Sequence, residues 1–177
     1  MQTAGPAPKV ATPETPKLTT REGTKIVLIN IDPLLTPELL HVVALMGHGD
    51  EIAVVDANFP ADSVARSTVH GRPIVLAGAD APQAVRAILS LVPLDEFVDA
   101  PVRVMAAPPS GATLPPVQEE VQGIVDSVAG RPCPFGPVER FAFYDAARAS
   151  YAVVLTNERR LYANFLIKKG VIYPDAR

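Results

Sequence analysis

Asp50 and Glu51 precede an unbroken apolar run, Ile52-Ala53-Val54-Val55, and Asp56 closes it. Four residues without polar alternation, three of them β-branched, fit a strand buried on both faces, which requires helices on both sides of its sheet. The rest of the chain supplies that cover. Thr36 can cap a helix whose first turn carries Pro37 and Glu38, with Leu39, Leu40, Val43 and Leu45 or Met46 inward and Gly47 as its stop. Further helices are predicted over residues 82–91, with Val85, Ile88 and Leu89 buried, and over residues 141–149. Another is predicted over residues 115–128, with Val117, Val121, Ile124 and Val128 on one side and Gly130 at its end. Strands are predicted at residues 25–31, 73–76, 102–106, 151–155 and 165–167. Helices alternating with buried strands define the α/β class, here a single-domain layered sheet flanked by helices.

A chain of 177 residues holds one such domain and is too short for two ordinary ones. Residues 25–177 form the domain. Residues 1–24 carry Pro6, Pro8, Pro13 and Pro16 without any helical or strand period, and read as an extended arm. A formal charge of -3 and the lack of a basic stripe exclude nucleic acid as a partner, since Lys168 and Lys169 are an isolated pair. No apolar run approaches the ~20 residues of a membrane span, so no membrane partner is expected. Nor does a basic start lead into an apolar stretch, so no signal peptide is expected and the location expected is the cytoplasm. The lone cysteine, Cys133, stands between two prolines with no histidine nearby to activate it, and reads as a small apolar residue in a stiff loop.

Two stretches carry residues suited to chemistry. In Met46-Gly-His-Gly-Asp-Glu-Ile52 a histidine lies between two glycines at a helix-to-strand turn, with no bulky neighbour to shield it. Asp56 falls at the carboxyl end of the buried strand, where ligands of open α/β sheets bind. Each has two readings. His48 either exchanges protons with a ligand or caps the preceding helix; Asp56 either meets the ligand or shapes a turn. The two share a cleft only if the His48 loop folds over it or a second subunit completes the site. His41 and His70 have no ligand-like spacing to His48, so no metal site is expected.

The second stretch lies near the C-terminus. Arg140 and Tyr144, four apart, share one helical face if the helix begins that early. Tyr162 and Asn164 alternate as on a strand edge. Arginine, tyrosine and asparagine together give the directional hydrogen bonds and aromatic face that a sugar uses. Each also has an ordinary reading: a surface ion pair for Arg140, packing for Tyr144, an interface for Tyr162.

Taken in order, Leu35-Thr-Pro-Glu-Leu-Leu40, Met46-Gly-His-Gly-Asp-Glu-Ile52, Asp56-Ala-Asn-Phe-Pro60, Arg140-Phe-Ala-Phe-Tyr144, Tyr162-Ala-Asn164 and Lys168-Lys-Gly-Val171 resemble the fucose mutarotase/ribose pyranase family, and its fucose branch in particular. The resemblance implies that His48 is the catalytic acid/base, with Asp56 a sugar-binding or acid–base partner. It makes Arg140, Tyr162 and Asn164 sugar ligands. It also implies no metal or organic cofactor, and a ring-shaped homo-oligomer, often a decamer, with sites where subunits meet. Val75-Leu-Ala-Gly78 and Thr156-Asn-Glu158 depart from the family pattern and bear on which sugar is bound.

Opening a cyclic hemiacetal takes a proton from the anomeric hydroxyl and delivers one to the ring oxygen; closure on the other face reverses this. Imidazole ordinarily titrates at about 6.5 and serves both directions near neutral pH. The expected activity is therefore interconversion of the α and β anomers of a free monosaccharide, L-fucose or a related deoxy or pentose sugar. The alternatives are a non-catalytic sugar-binding or regulatory protein using the same pocket, and a structural ring whose arm docks a partner.

Overall fold

The computed structural model describes residues 28–108 and 114–174, and the expected arm over residues 1–24 lies outside them. Among the described residues five helices and six strands follow one another as α1 (Pro37–Leu45), β1 (Glu51–Val55), α2 (Ala61–Ala65), β2 (Pro73–Leu76), α3 (Ala81–Leu89), β3 (Val102–Met105), α4 (Pro116–Ala129), β4 (Gly136–Val138), α5 (Arg140–Arg148), β5 (Ala152–Thr156) and β6 (Phe165–Lys168). The strands form one sheet in the order β2-β5-β1-β6-β3-β4. β1 pairs in parallel with β5, β5 with β2, and β3 with β4, whereas β6 runs antiparallel to both β1 and β3. Five strands thus point one way and β6 alone points back.

β1 sits in the middle of this sheet and is buried along Ile52–Val55, as its unbroken apolar run requires. Its alternate residues feed two cores. Ile52 and Val54 join Phe165, Val104 and the buried faces of α1, α3 and α4 on one side. Ala53 and Val55 join Leu166, Phe59 and Phe143 beneath α2 and α5 on the other. The result is a three-layer α/β/α arrangement with helices on both faces, the layered class expected.

Local chemistry fixes the helix starts. The Thr36 hydroxyl accepts from the Leu39 amide at 3.2 Å, with Pro37 in the first turn. A capping box opens α3, where Asp80 accepts from the Gln83 amide at 2.8 Å and Gln83 accepts from the Asp80 amide at 3.0 Å. Such caps contribute about 1 kcal/mol each.

Several expectations need correction. Of the strand expected over residues 25–31, residues 25–27 lie outside the described residues and residues 28–31 form turns and bends. Helix α1 ends a residue before the stop assigned to Gly47, because Met46 already turns extended at ψ 134°. Its inner face is Leu39, Val42, Val43 and Met46, while Leu45 is 58% exposed and Leu40 only half-buried. On α4 the face ends at Val125, and Val128 stays exposed. The Tyr162–Asn164 segment is a turn that leads into β6, not part of the strand.

Candidate active site

The polar residues gather at the two opposite ends of the sheet. At one end α1 gives way to β1 through Gly47, His48, Gly49 and Asp50. Gly49 takes φ +85°, a left-handed conformation that glycine adopts without strain, and donates to the Lys169 carbonyl at 2.9 Å. The Lys169 ammonium donates to the Val43 and Met46 carbonyls, so lysine, not His48, satisfies the end of α1. The imidazole is left about half exposed, its side chain at 48%. Its Nε2 lies 3.2 Å from Asp95 Oδ1, and its ring meets Phe97 edge-on at 5.5 Å.

Asp95 is held by the chain around it. Its amide donates to the Lys168 carbonyl at 3.3 Å, and its Oδ1 also accepts from the Phe97 amide at 3.1 Å. A Cβ on Gly170 would collide with the Leu94 carbonyl, so only glycine there lets the segment after β6 lie against Leu94 and Asp95. Burial alone would raise the Asp95 carboxyl. The hydrogen bonds from Phe97 and His48, with the charges of His48 and Lys168, outweigh it and hold the group below its usual value.

At the other end of β1 sits Asp56, 4% exposed. Its amide donates to Asn164 Oδ1 at 3.0 Å, and Asn164 Nδ2 returns a bond to Asp56 Oδ2 at 2.7 Å. The other carboxylate oxygen accepts from the Asn58 amide at 3.0 Å, so Asp56 shapes a turn at the strand end. Burial pushes its carboxyl up, against the lowering effect of those hydrogen bonds.

Beside this pair the first turn of α5 presents Arg140. Glu139 caps that helix by accepting from the Phe141 and Ala142 amides, and α5 begins at Arg140, which sets Arg140 and Tyr144 one turn apart as expected. The Arg140 guanidinium lies 4.7 Å above the Phe141 ring, and Tyr144 packs on Phe59 at 5.4 Å. Arg140 and the half-buried Tyr162 line one cleft of about 430 Å³, with Phe141, Pro137 and Ala106. The structure therefore brings Asp56, Asn164, Tyr162 and Arg140 to one edge. His48 is not among them.

At about 3.3 Å per residue, β1 alone puts roughly 17 Å between His48 and Asp56. The His48 loop does not fold over the Asp56 edge, because its side chain is turned to Asp95. Sequence reasoning missed Asp95 and Phe97. Asp95 stands 47 positions from His48, and no local pattern links them. Cys133 fits its plain reading: it is buried, and burial raises its thiol.

The fold is that of a three-layer α/β protein with clusters of polar side chains at both ends of its sheet. Residues 29–172 match the RbsD / FucU transport protein family. The chain belongs to that family, as the motifs suggested. A fucose mutarotase of Bos taurus is 44% identical over 152 residues, which span 84% of this chain and 97% of that protein. An L-fucose mutarotase of Actinobacillus pleuropneumoniae serotype 5b (strain L20) is 41% identical over 145 residues, 82% and 97% of the two chains. The crystal structure of the fucose mutarotase in complex with L-fucose from Streptococcus pneumoniae matches with a TM-score of 0.74 at 34% identity, covering 82% of this chain and all of that one.

Proposed function

We propose that this protein is a sugar mutarotase that interconverts the α and β anomers of a free monosaccharide, L-fucose first among them. The observation that carries the reading is the Asp56–Asn164 pair beside Tyr162 and Arg140, in a chain similar over most of its length to fucose mutarotases. The site is assembled from two copies. One copy supplies the edge that holds the sugar through Asp56, Asn164, Tyr162 and Arg140; the next supplies His48. The separation of His48 from Asp56 within one chain supports this division, and so does the solvent-facing side of the imidazole. Assembly into a closed ring, such as a decamer, would repeat that junction around the molecule. The location that fits a free-sugar substrate is the cytoplasm. Among the described residues no helix is long and apolar enough to cross a membrane.

In this scheme His48 donates Nε2–H to Asp95, which leaves Nδ1 to exchange a proton with the sugar. Loss of the anomeric hydroxyl proton and protonation of the ring oxygen break the C1–ring oxygen bond and give the open aldehyde. Rotation about C1–C2 and reclosure return the protons and yield the other anomer. Free sugars already do this slowly in water, so a positioned acid–base group, typically contributing about 10²–10⁴-fold, suffices.

Saturation-transfer NMR of anomeric protons across a sugar panel tests the reading. Wild type should accelerate exchange of L-fucose. His48→Ala should lose about 10²–10⁴-fold of that rate while still binding the sugar. A non-catalytic binder would hold sugar and accelerate nothing, and that result ends the mutarotase reading.

A further inference from the structure

Tyr162 has φ +62°, in the left-handed region that bulky residues rarely occupy. A backbone in that region costs about 1–3 kcal/mol and persists only where its surroundings over-determine it. The restraint comes from α4. Gln118, 2% exposed, sends its side-chain amide nitrogen to the Tyr162 carbonyl at 2.8 Å and to the Met105 carbonyl at 3.1 Å. Two residues along the same helix, Glu120 accepts from Arg160 at 3.0 Å, and Arg160 also pairs with the buried Glu158 at 2.7 Å. One helix thus grips the 158–162 turn from inside and from the surface.

Gln118 lies between Val117 and Val121 on the buried side of α4, where an apolar residue would fill the space without the desolvation penalty of an amide. Its two hydrogen bonds end on carbonyls at the wall of the 430 Å³ cleft: that of Tyr162, which lines it, and that of Met105, next to Ala106, which also does. We propose that Gln118 is a positioning residue of the sugar site, holding Tyr162 in its left-handed backbone so that the phenol ring faces the cleft. This rests on the reading of Tyr162 as a sugar ligand. Gln118 itself touches no sugar, and acts only through Tyr162.

Gln118→Met keeps the volume and removes the donor. Its crystal structure should show residue 162 at negative φ, with the ring moved from the cleft. The KM for the sugar should rise about tenfold, the worth of one hydrogen bond, with kcat within about threefold. Added to Tyr162→Ala, which has no ring to aim, the same substitution should raise KM no further. If the methionine variant does not fold, Gln118→Asn, one methylene short of the Tyr162 carbonyl, carries the same expectations. An unchanged φ at residue 162, a wild-type KM, or a KM rise of equal size with and without the Tyr162 ring overturns the proposal. If wild type exchanges no sugar, the mutarotase reading falls alone; the backbone angle of residue 162 in the Gln118 variants then decides the positioning role.

Discussion

Replacing Asn164 with alanine strips Asp56 of two partners at once. The Asp56 amide loses its acceptor and is left unsatisfied in a buried site, which costs about 1–3 kcal/mol; the carboxylate loses a donor worth about 1.5–3 kcal/mol when it is ionised. Together the loss is about 3–5 kcal/mol at neutral pH, or roughly 10 °C in Tm for a chain of this size. The pH dependence gives the sharper test. Burial already raises the Asp56 carboxyl, and the Asn164 bond opposes that rise, so the variant lifts it further. A group whose folded pKa is raised favours the folded state below its unfolded pKa and loses that contribution as pH climbs through the folded value. The gap in Tm between wild type and Asn164→Ala should therefore be wider at about pH 8 than at about pH 4.5, shrinking toward the contribution of the orphaned amide as the carboxyl protonates. Thermal melts followed by circular dichroism at both pH values measure it. A gap that stays constant or narrows as pH rises would refute the account of Asp56 as a buried carboxylate held by Asn164.

Asp95→Asn should lower kcat for anomer exchange about 10–100-fold with KM nearly unchanged, because the amide no longer fixes the His48 tautomer; wild-type kcat in steady-state NMR assays would remove Asp95 from the scheme. His48→Ala and Arg140→Ala, each inactive alone, should recover about a quarter of wild-type activity when co-assembled from equal amounts, the share of junctions that draw both intact residues. No recovery in a mixed assembly would rule out a site shared between copies. Glu38→Gln breaks pairs with His70 and Arg72 that hold the Glu38 carboxyl below its usual range. Its effect should run in the same direction as that of Asn164→Ala but through a carboxyl that is lowered, not raised: present at neutral pH and fading as pH falls through the folded Glu38 value. It should stay below about 1 kcal/mol, because the carboxylate is one-third exposed, and differential scanning calorimetry reads it.

The central strand was legible because residues buried on both faces leave an unbroken apolar run, and Ile52 to Val55 contain nothing else. The capped start of α1 and the inner face of α3 followed from local spacing. Strand β4 was not legible: it is three residues long, contains Gly136 and Pro137, and exists by pairing with Arg103–Met105 far along the chain. Helix α2, five residues behind Pro60 with no side-chain cap, carried too little signal of its own. The same division holds at the site. Glycines flanking His48 marked an open turn, and Asp56 marked a strand end, both local facts. The partners that decide what those residues do, Asp95 for His48 and Asn164 for Asp56, are set by pairing β6 between β1 and β3 and by the segment before β3 folding back on its end.

Because β6 runs against its neighbours, its short span has Asn164 at its head and Lys168 and Lys169 at its tail, one at each rim of the sheet. A single inserted or deleted residue between Phe165 and Lys168 would withdraw the Asp56 partner and the anchor of the His48 turn in one stroke. Length variation among relatives should therefore collect in the connecting loops and leave this four-residue span untouched, and a designer seeking to alter sugar preference has room in the cleft wall but none here.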